Sequence, residues 1–378
     1  MQQKSSNPKD ALAELKKQRA LDPKYHDGRI LCSMCTTPLP VAKRAFELFF
    51  ESNLGDSGLF PAATQLEREV VSQLATLLGS ESACGFIVSG GTEANLLAIL
   101  AAKNTANKEQ PEVVLPQSAH FSFTKICNML NIKPVYAPLD DAYRVKPAAV
   151  EALISRNTVA IVGTAGTPEL GAIDPIDSLS KIALRHTVHL HVDAAFGGLV
   201  IPFLEGTKPP FDFSLEGVKS LTVDPHKMGL AAIPAGGIFF RDQKMLDAIR
   251  TETPYLTDNY QYTFVGTRTG ASAASAWAVL RVLGREGFQK MAAQCMKTTR
   301  YLARALEKEG FSLLCKPTLN IIGFRGKNTK HLADRLRNRG WFVSYVSRYD
   351  CIRIVVMPHV KRGDAVAFMR DLKAAREE

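Results

Sequence analysis

The sequence predicts an α/β protein: a large domain built on a mostly parallel sheet, then a small C-terminal α+β domain. Three observations carry this. From about residue 85, short apolar runs alternate with helical stretches. Strands of this length separated by helices read as βαβ units, which make a parallel sheet covered on both faces. After a long helical region, at roughly 270–309, strand-like runs crowd together. At 378 residues the chain is also too long for one typical small domain.

The elements follow in order. Asn7 can cap a first helix, Pro8 suits its first turn, and Asp10 completes a spacing like a capping box. "PVAKRAFELFFESN" reads as a second helix. "GFIVS" precedes the helical "TEANLLAILAAKN". "EVVLP" precedes a helical stretch near "FTKICNML", and "VAIVG" precedes "PIDSLSKIALRH". "VHLHVD", "SLTVD" and "GGIFFRD" complete the large sheet. "FSLLC", "NIIGFR", "WFVSYVS" and "CIRIVVMP" are the later strands, with helices at about 328–339 and 361–375. The expected division is an N-terminal helical segment at 1–60, a large domain at 61–285 and a small one at 286–378.

Composition narrows the function. Apolar residues make up 46% of the chain and charges are scattered, as in a soluble globular protein. No apolar stretch is long enough to span a bilayer, and the N-terminus lacks the apolar centre of a signal peptide. A cytoplasmic address is the expectation. Seven cysteines argue against a disulfide framework. Cys32 and Cys35 form a CxxC without a second pair, so no metal site is expected and two semi-buried thiols are. The net charge of +10 is spread along the chain without interleaved aromatics, which argues against nucleic acid as a partner.

The motifs lie at strand ends, where ligands of such sheets bind. In "VSGGTEANL", Gly90 and Gly91 let the backbone approach a ligand, Thr92 can cap the helix, and the helix start favours an anion. An ordinary capped turn explains this stretch equally well. In "HLHVDAAFGG", Asp193 ends a strand beside Ala194 and Ala195; a turn aspartate is the commoner role. His120 follows "VVLP" and could stack on a planar ring, although a lone histidine is more often structural. Lys227, in "DPHKMG", reads as a strand-end amine, partly desolvated and beside other cations, able to lose its proton. For a single lysine, a solvated surface charge is the plainer reading. Together these groups are what pyridoxal 5'-phosphate requires: a phosphate cradle, a stacking ring, an acid for the pyridine nitrogen and a lysine for covalent attachment.

At this point the chain resembles the group II pyridoxal-phosphate-dependent amino-acid decarboxylases, and most closely the archaeal L-tyrosine/L-aspartate decarboxylases. The stretches concerned are "GSESACGFIVSGGTEANL", "SAHFSF", "GTAGTPELGAIDPI", "HVDAAFGGLVIPF", "DPHKMG", "PYLTDNYQYTFVGTRTG" and "IRIVVMPHVKR". One departure is Pro168, where the archaeal enzymes tend to carry a second threonine. The resemblance implies the aspartate-aminotransferase-like fold (fold type I) and a homodimer with active sites between protomers. It implies that Lys227 carries the cofactor, with His226 near the phosphate. Asp193 would pair with the pyridine nitrogen, and Ala195 and His120 would flank the ring. Gly91 and Thr92 would hold the phosphate, with Thr267 reaching the partner's. Thr167 would lie near the phenolic oxygen or the substrate carboxylate. Arg353 would anchor the substrate α-carboxylate, and Tyr255 would be a catalytic loop tyrosine returning the proton. The implied products are tyramine, for methanofuran, and β-alanine, for coenzyme A. Arg268 and Arg348 are candidate partners for a side-chain carboxylate. A sphingosine-phosphate-lyase-like or desulfurase-like enzyme is the alternative, the latter needing Cys351 on a flexible loop.

Overall fold

A computed structural model describes residues 7–377. The opening Met1–Ser6 of the expected N-terminal segment lies outside the described residues. The large sheet has strands β1 (Cys84–Val88), β2 (Glu112–Pro116), β3 (Lys133–Ala137), β4 (Thr158–Thr164), β5 (His189–Asp193), β6 (Val218–Val223) and β7 (Gly236–Phe240). Their order is β1-β7-β6-β5-β4-β2-β3. β7 runs antiparallel to both neighbours, while the β2–β3, β2–β4, β4–β5 and β5–β6 pairs are parallel. The expected α/β class and mostly parallel sheet are found.

Strand alternation explains the two-sided core. On β2, Val113 and Leu115 pack with Leu96, Ile99, Phe123 and Ile126, from the helices Gly91–Ala106 and Ser122–Leu130. Val114 faces the other way, into a cluster with Ile176 and Leu179. β3 is absent from the sequence reading. It is an edge strand with Lys133 and Tyr136 exposed and Pro134 inside it, so it lacks the apolar run that marks its neighbours.

The first helix, Pro8–Arg19, is capped as expected, Lys9 N donating to Asn7 Oδ1 at 2.9 Å. A ribbon of β8 (Thr251–Glu252) and β9 (Tyr260–Gln261) follows the large sheet. The helix Gly270–Lys308 is interrupted at Gly284, whose φ of 51° leaves the helical region. Then β10 (Ser312–Leu313), β11 (Ile321–Arg325), β12 (Ser344–Val346) and β13 (Cys351–Val355) form an antiparallel sheet in the order β10-β11-β13-β12. Leu31 is buried in the core of that sheet, held by its N–H to Phe342 O at 2.8 Å and its carbonyl to Val355 N at 2.6 Å. The N-terminal segment is therefore not helical throughout. Its extended stretch ties the small sheet to the large one and carries Met34 and Cys35 to the cleft between them.

Candidate active site

A cleft of about 1130 Å³ opens at the carboxyl ends of β1, β2, β4, β5 and β6 and is roofed by β12 and β13. Gly91, Thr92, His120, Asp193, Ala195, His226, Lys227 and Arg353 all line it. The chain thus brings together residues from 91 to 353, some joined in the sequence by chemistry and others, Arg353 among them, only by the family resemblance.

The turn after β1 is tight against the end of β6. A Cβ on Gly91 would stand 2.9 Å from Asp224 Oδ2 and 3.3 Å from Ala195 Cβ, so only glycine fits without movement. Gly90, not Thr92, takes the N-cap position, and no side chain caps the helix. Thr92 already lies in the first turn. The helix therefore presents its uncapped start, with its partial positive charge, to the cleft. The His226 ring is near, its Cε1 being 3.5 Å from where a Gly90 Cβ would be, and its Nδ1 donates to Ala235 O at 2.6 Å.

Lys227 does not sit beside cations. Its Nζ is 3.0 Å from Asp224 Oδ2. Burial pulls the amine down, but Asp224 and Asp193 outweigh it, and the lysine is raised above its ordinary value. The sequence expectation erred because Asp224, three residues earlier in the turn after β6, folds back onto the lysine. The other oxygen of Asp224, Oδ1, is buried without a partner.

Asp193 is 6% exposed. Its Oδ1 accepts from Ala195 N at 3.1 Å, and its Oδ2 accepts from Asn95 Nδ2 at 3.1 Å. Asn95 went unnoticed in the sequence, although it lies one turn into the helix that starts at the glycines. His120 accepts from Ser122 N through Nδ1 at 3.2 Å and packs on Phe121 with ring centroids 4.0 Å apart. Burial chiefly lowers its imidazole, which favours a neutral ring able to stack.

Arg353, on β13, is 9% exposed. It donates through Nη1 to Cys32 O at 2.8 Å, while its Nε has no partner. Arg348 also lines the cleft, paired with Glu169 and donating to Gln117 O at 2.6 Å. Glu169 Oε2 is buried without a partner. Arg268 is elsewhere: it is buried, paired with Glu67, and donates to Ile87 O at 2.7 Å and Leu54 O at 3.2 Å. It is a structural arginine, absent from the cleft lining.

Three other assigned residues also lie outside the cleft lining. Thr167 is buried, and its Oγ1 accepts from Ala172 N at 3.0 Å, so it closes a turn. The nearby Thr164 does line the cleft, and its Oγ1 is buried without a partner. Tyr255 is 85% exposed between β8 and β9, and Thr267 is exposed. Cys35 lines the cleft. Cys351 is fully buried on β13, its thiol pushed up to about 12 by burial, which removes the flexible cysteine a desulfurase needs.

These residues suit pyridoxal phosphate. The glycine turn and uncapped helix start suit a phosphate, and Asp193 suits a ring N–H. Lys227 offers an amine, and buried polar atoms on Thr164 and Arg353 still lack partners.

Comparison with known proteins agrees. Residues 52–327 match the model of the pyridoxal-dependent decarboxylase conserved domain. A probable L-tyrosine/L-aspartate decarboxylase of Methanothermobacter thermautotrophicus is 51% identical over 93% of this chain and 98% of its own length. The L-aspartate decarboxylase of Thermococcus kodakarensis is 46% identical, covering 98% of each chain. Among solved structures, a sphingosine-1-phosphate lyase of Burkholderia pseudomallei superposes with a TM-score of 0.93 at 29% identity, covering 100% of this chain and 92% of its own. A glutamate decarboxylase of Lactobacillus brevis gives 0.90 at 26% identity, covering 100% and 94%.

Proposed function

The chain belongs to the pyridoxal-dependent decarboxylase family, and from that premise we propose that it removes the α-carboxylate of L-tyrosine and of L-aspartate, yielding tyramine and β-alanine with CO2. The observation that carries this reading is one cleft holding Lys227, Asp193 and the glycine turn opposite Arg353, whose Nε is still free to bond. Bound pyridoxal phosphate supplies a conjugated ring that accepts the electrons left behind when CO2 departs.

The chain's residues do the rest. Lys227 would hold the cofactor through its amine. Asp193 would accept a hydrogen bond from the ring nitrogen and favour its protonated form. Ala195 and His120 would pack against the ring. Arg353 would grip the α-carboxylate, a charge-assisted contact that orients the substrate. Glu169 Oε2, buried and without a partner in the cleft lining, would meet a phenolic hydroxyl. Arg348, now paired with Glu169, turns to a side-chain carboxylate instead. Two opposite partners at one place suit two substrates.

Tyr255 and Thr267 complete the site from a second protomer: Thr267 reaches the phosphate and Tyr255 returns the proton to Cα. Among the described residues no helix is long and apolar enough to cross a membrane. We place the dimer in the cytoplasm, its tyramine serving methanofuran synthesis and its β-alanine coenzyme A.

Steady-state kinetics on the purified protein with tyrosine, aspartate and glutamate, with trapping of CO2, tests this. Turnover of tyrosine and aspartate with release of CO2 is expected. No CO2 from either would overturn the reading. Glu169→Gln should raise KM for tyrosine about tenfold, the loss of one hydrogen bond to a charged group. An unchanged KM would remove Glu169 from substrate recognition.

A further inference from the structure

Behind Asp193 runs a line of buried hydrogen bonds that the reaction above leaves unused. His189, His191 and Asp193 alternate along β5, so their side chains share one face. On β6, Ser220 and Thr222 are in register with His191 and Asp193. His189 Nε2 is 2.7 Å from Ser220 Oγ, which is 2.8 Å from His191 Nδ1. His191 Nε2 is 3.0 Å from Asn95 Oδ1, and Asn95 Nδ2 is 3.1 Å from Asp193 Oδ2. No member is more than 8% exposed.

Chemistry gives this line a direction. The Asn95 nitrogen faces a carboxylate, so its oxygen faces His191 and Thr222. An amide oxygen only accepts; Thr222 Oγ1 therefore donates to it at 2.7 Å, and His191 Nε2 carries a proton. Burial chiefly holds both His191 and His189 down at about 3, so each imidazole has one N–H. His191 Nδ1 is then bare, and Ser220 must donate to it. The single hydroxyl hydrogen is used there, so His189 must donate to Ser220. Every bond in the line points its hydrogen toward Asp193.

We propose that His189, Ser220, His191 and Asn95 are positioning residues, a one-way relay that holds the Asp193 carboxylate in one orientation and in its acceptor-only form. This rests on the reading of Asp193 as partner of the cofactor's ring nitrogen. Burying a carboxylate is costly unless donors meet it, and hydrogen bonds in series strengthen one another. The relay supplies that donor at Asp193 Oδ2. It reaches back to the first residue of β5, so a change there is felt at the ring.

The test has two arms. Nitrogen NMR of the histidine-labelled full chain with pyridoxal phosphate bound should show His189 and His191 as neutral, Nε2-protonated rings that do not titrate between about pH 5 and 9. A cationic or Nδ1-protonated ring at either position would overturn the relay without any variant being made. In the second arm Ser220→Ala cuts the line at its middle. Pyridoxal phosphate should dissociate about threefold to tenfold more readily. The nitrogen shift of ring-labelled cofactor should move toward unprotonated pyridine, and kcat should fall with KM nearly unchanged. Ser220→Cys, with a weaker donor of similar size, should fall between the two. A ring-nitrogen shift unaltered in Ser220→Ala but moved in Asp193→Asn would overturn the relay alone. A shift unaltered in both would overturn the reading of Asp193 itself.

Discussion

The β5–β6 face and the segment 251–269 are assigned to one active site, yet the chain holds them in opposite ways. On the first, strand alternation aligns His189, His191, Asp193, Ser220 and Thr222, all buried. On the second, Tyr255 is 85% exposed and Phe264 63% exposed. That segment is tied down only at chosen points. Val265 N donates to Glu93 Oε1 at 3.0 Å, Thr257 N to Asp56 Oδ1 at 3.0 Å, and the buried Arg268 anchors its end on Glu67. One chain by itself buries and orders the face that carries Asp193, while it leaves the segment that carries Tyr255 exposed. We propose that a partner protomer covers that exposed segment.

The largest expected effect breaks the first region. Lys227→Ala should abolish decarboxylation and the absorbance of covalently held cofactor, read by turnover and by spectra. Retention of both would remove the lysine from the mechanism. Next comes the second region. Tyr255→Phe should lower kcat about a hundredfold and raise the share of transamination side product, seen by chromatography of products. A wild-type rate and product ratio would show that the exposed segment is not catalytic. Smaller again, Arg353→Ala should reduce kcat/KM about tenfold to a hundredfold for both substrates, the loss of a charge-assisted contact. An effect on one substrate only would reassign it to the side chain. The smallest effect on chemistry is expected where the second region is anchored. Arg268→Ala leaves Glu67 buried and unpaired and should cost about 3–5 kcal/mol in denaturant unfolding, with KM for either substrate little changed.

Much of the first region was legible in the sequence, because its signals are local. "HLHVD" shows the period of two that puts His189, His191 and Asp193 on one face, and "SGGTEAN" shows a helix start too small to obstruct a ligand. β3 was not legible, since an edge strand with exposed Lys133 needs no apolar run. The two candidate arginines could not be ranked either. Arg268 and Arg348 differ only in which distant acid meets them, Glu67 behind the sheet or Glu169 in the cleft. Thr167 and Thr164 could not be told apart for the same reason. Both flank Ala165–Gly166, and only the path of the turn decides which hydroxyl faces inward. Lys227 does line the cleft, but its environment was read with the wrong sign, because Asp224 folds back onto it and Asp193 reaches it only in the fold.

The account's central claim is that Lys227 holds pyridoxal phosphate in this cleft. Borohydride reduction of the cofactor-loaded protein, followed by digestion and mass mapping, tests it most directly. Reduced cofactor is expected on the peptide containing Asp224–Gly229, attached at Lys227, and none on that peptide after prior incubation with saturating substrate. Cofactor fixed at another lysine, or none fixed at all, would contradict it.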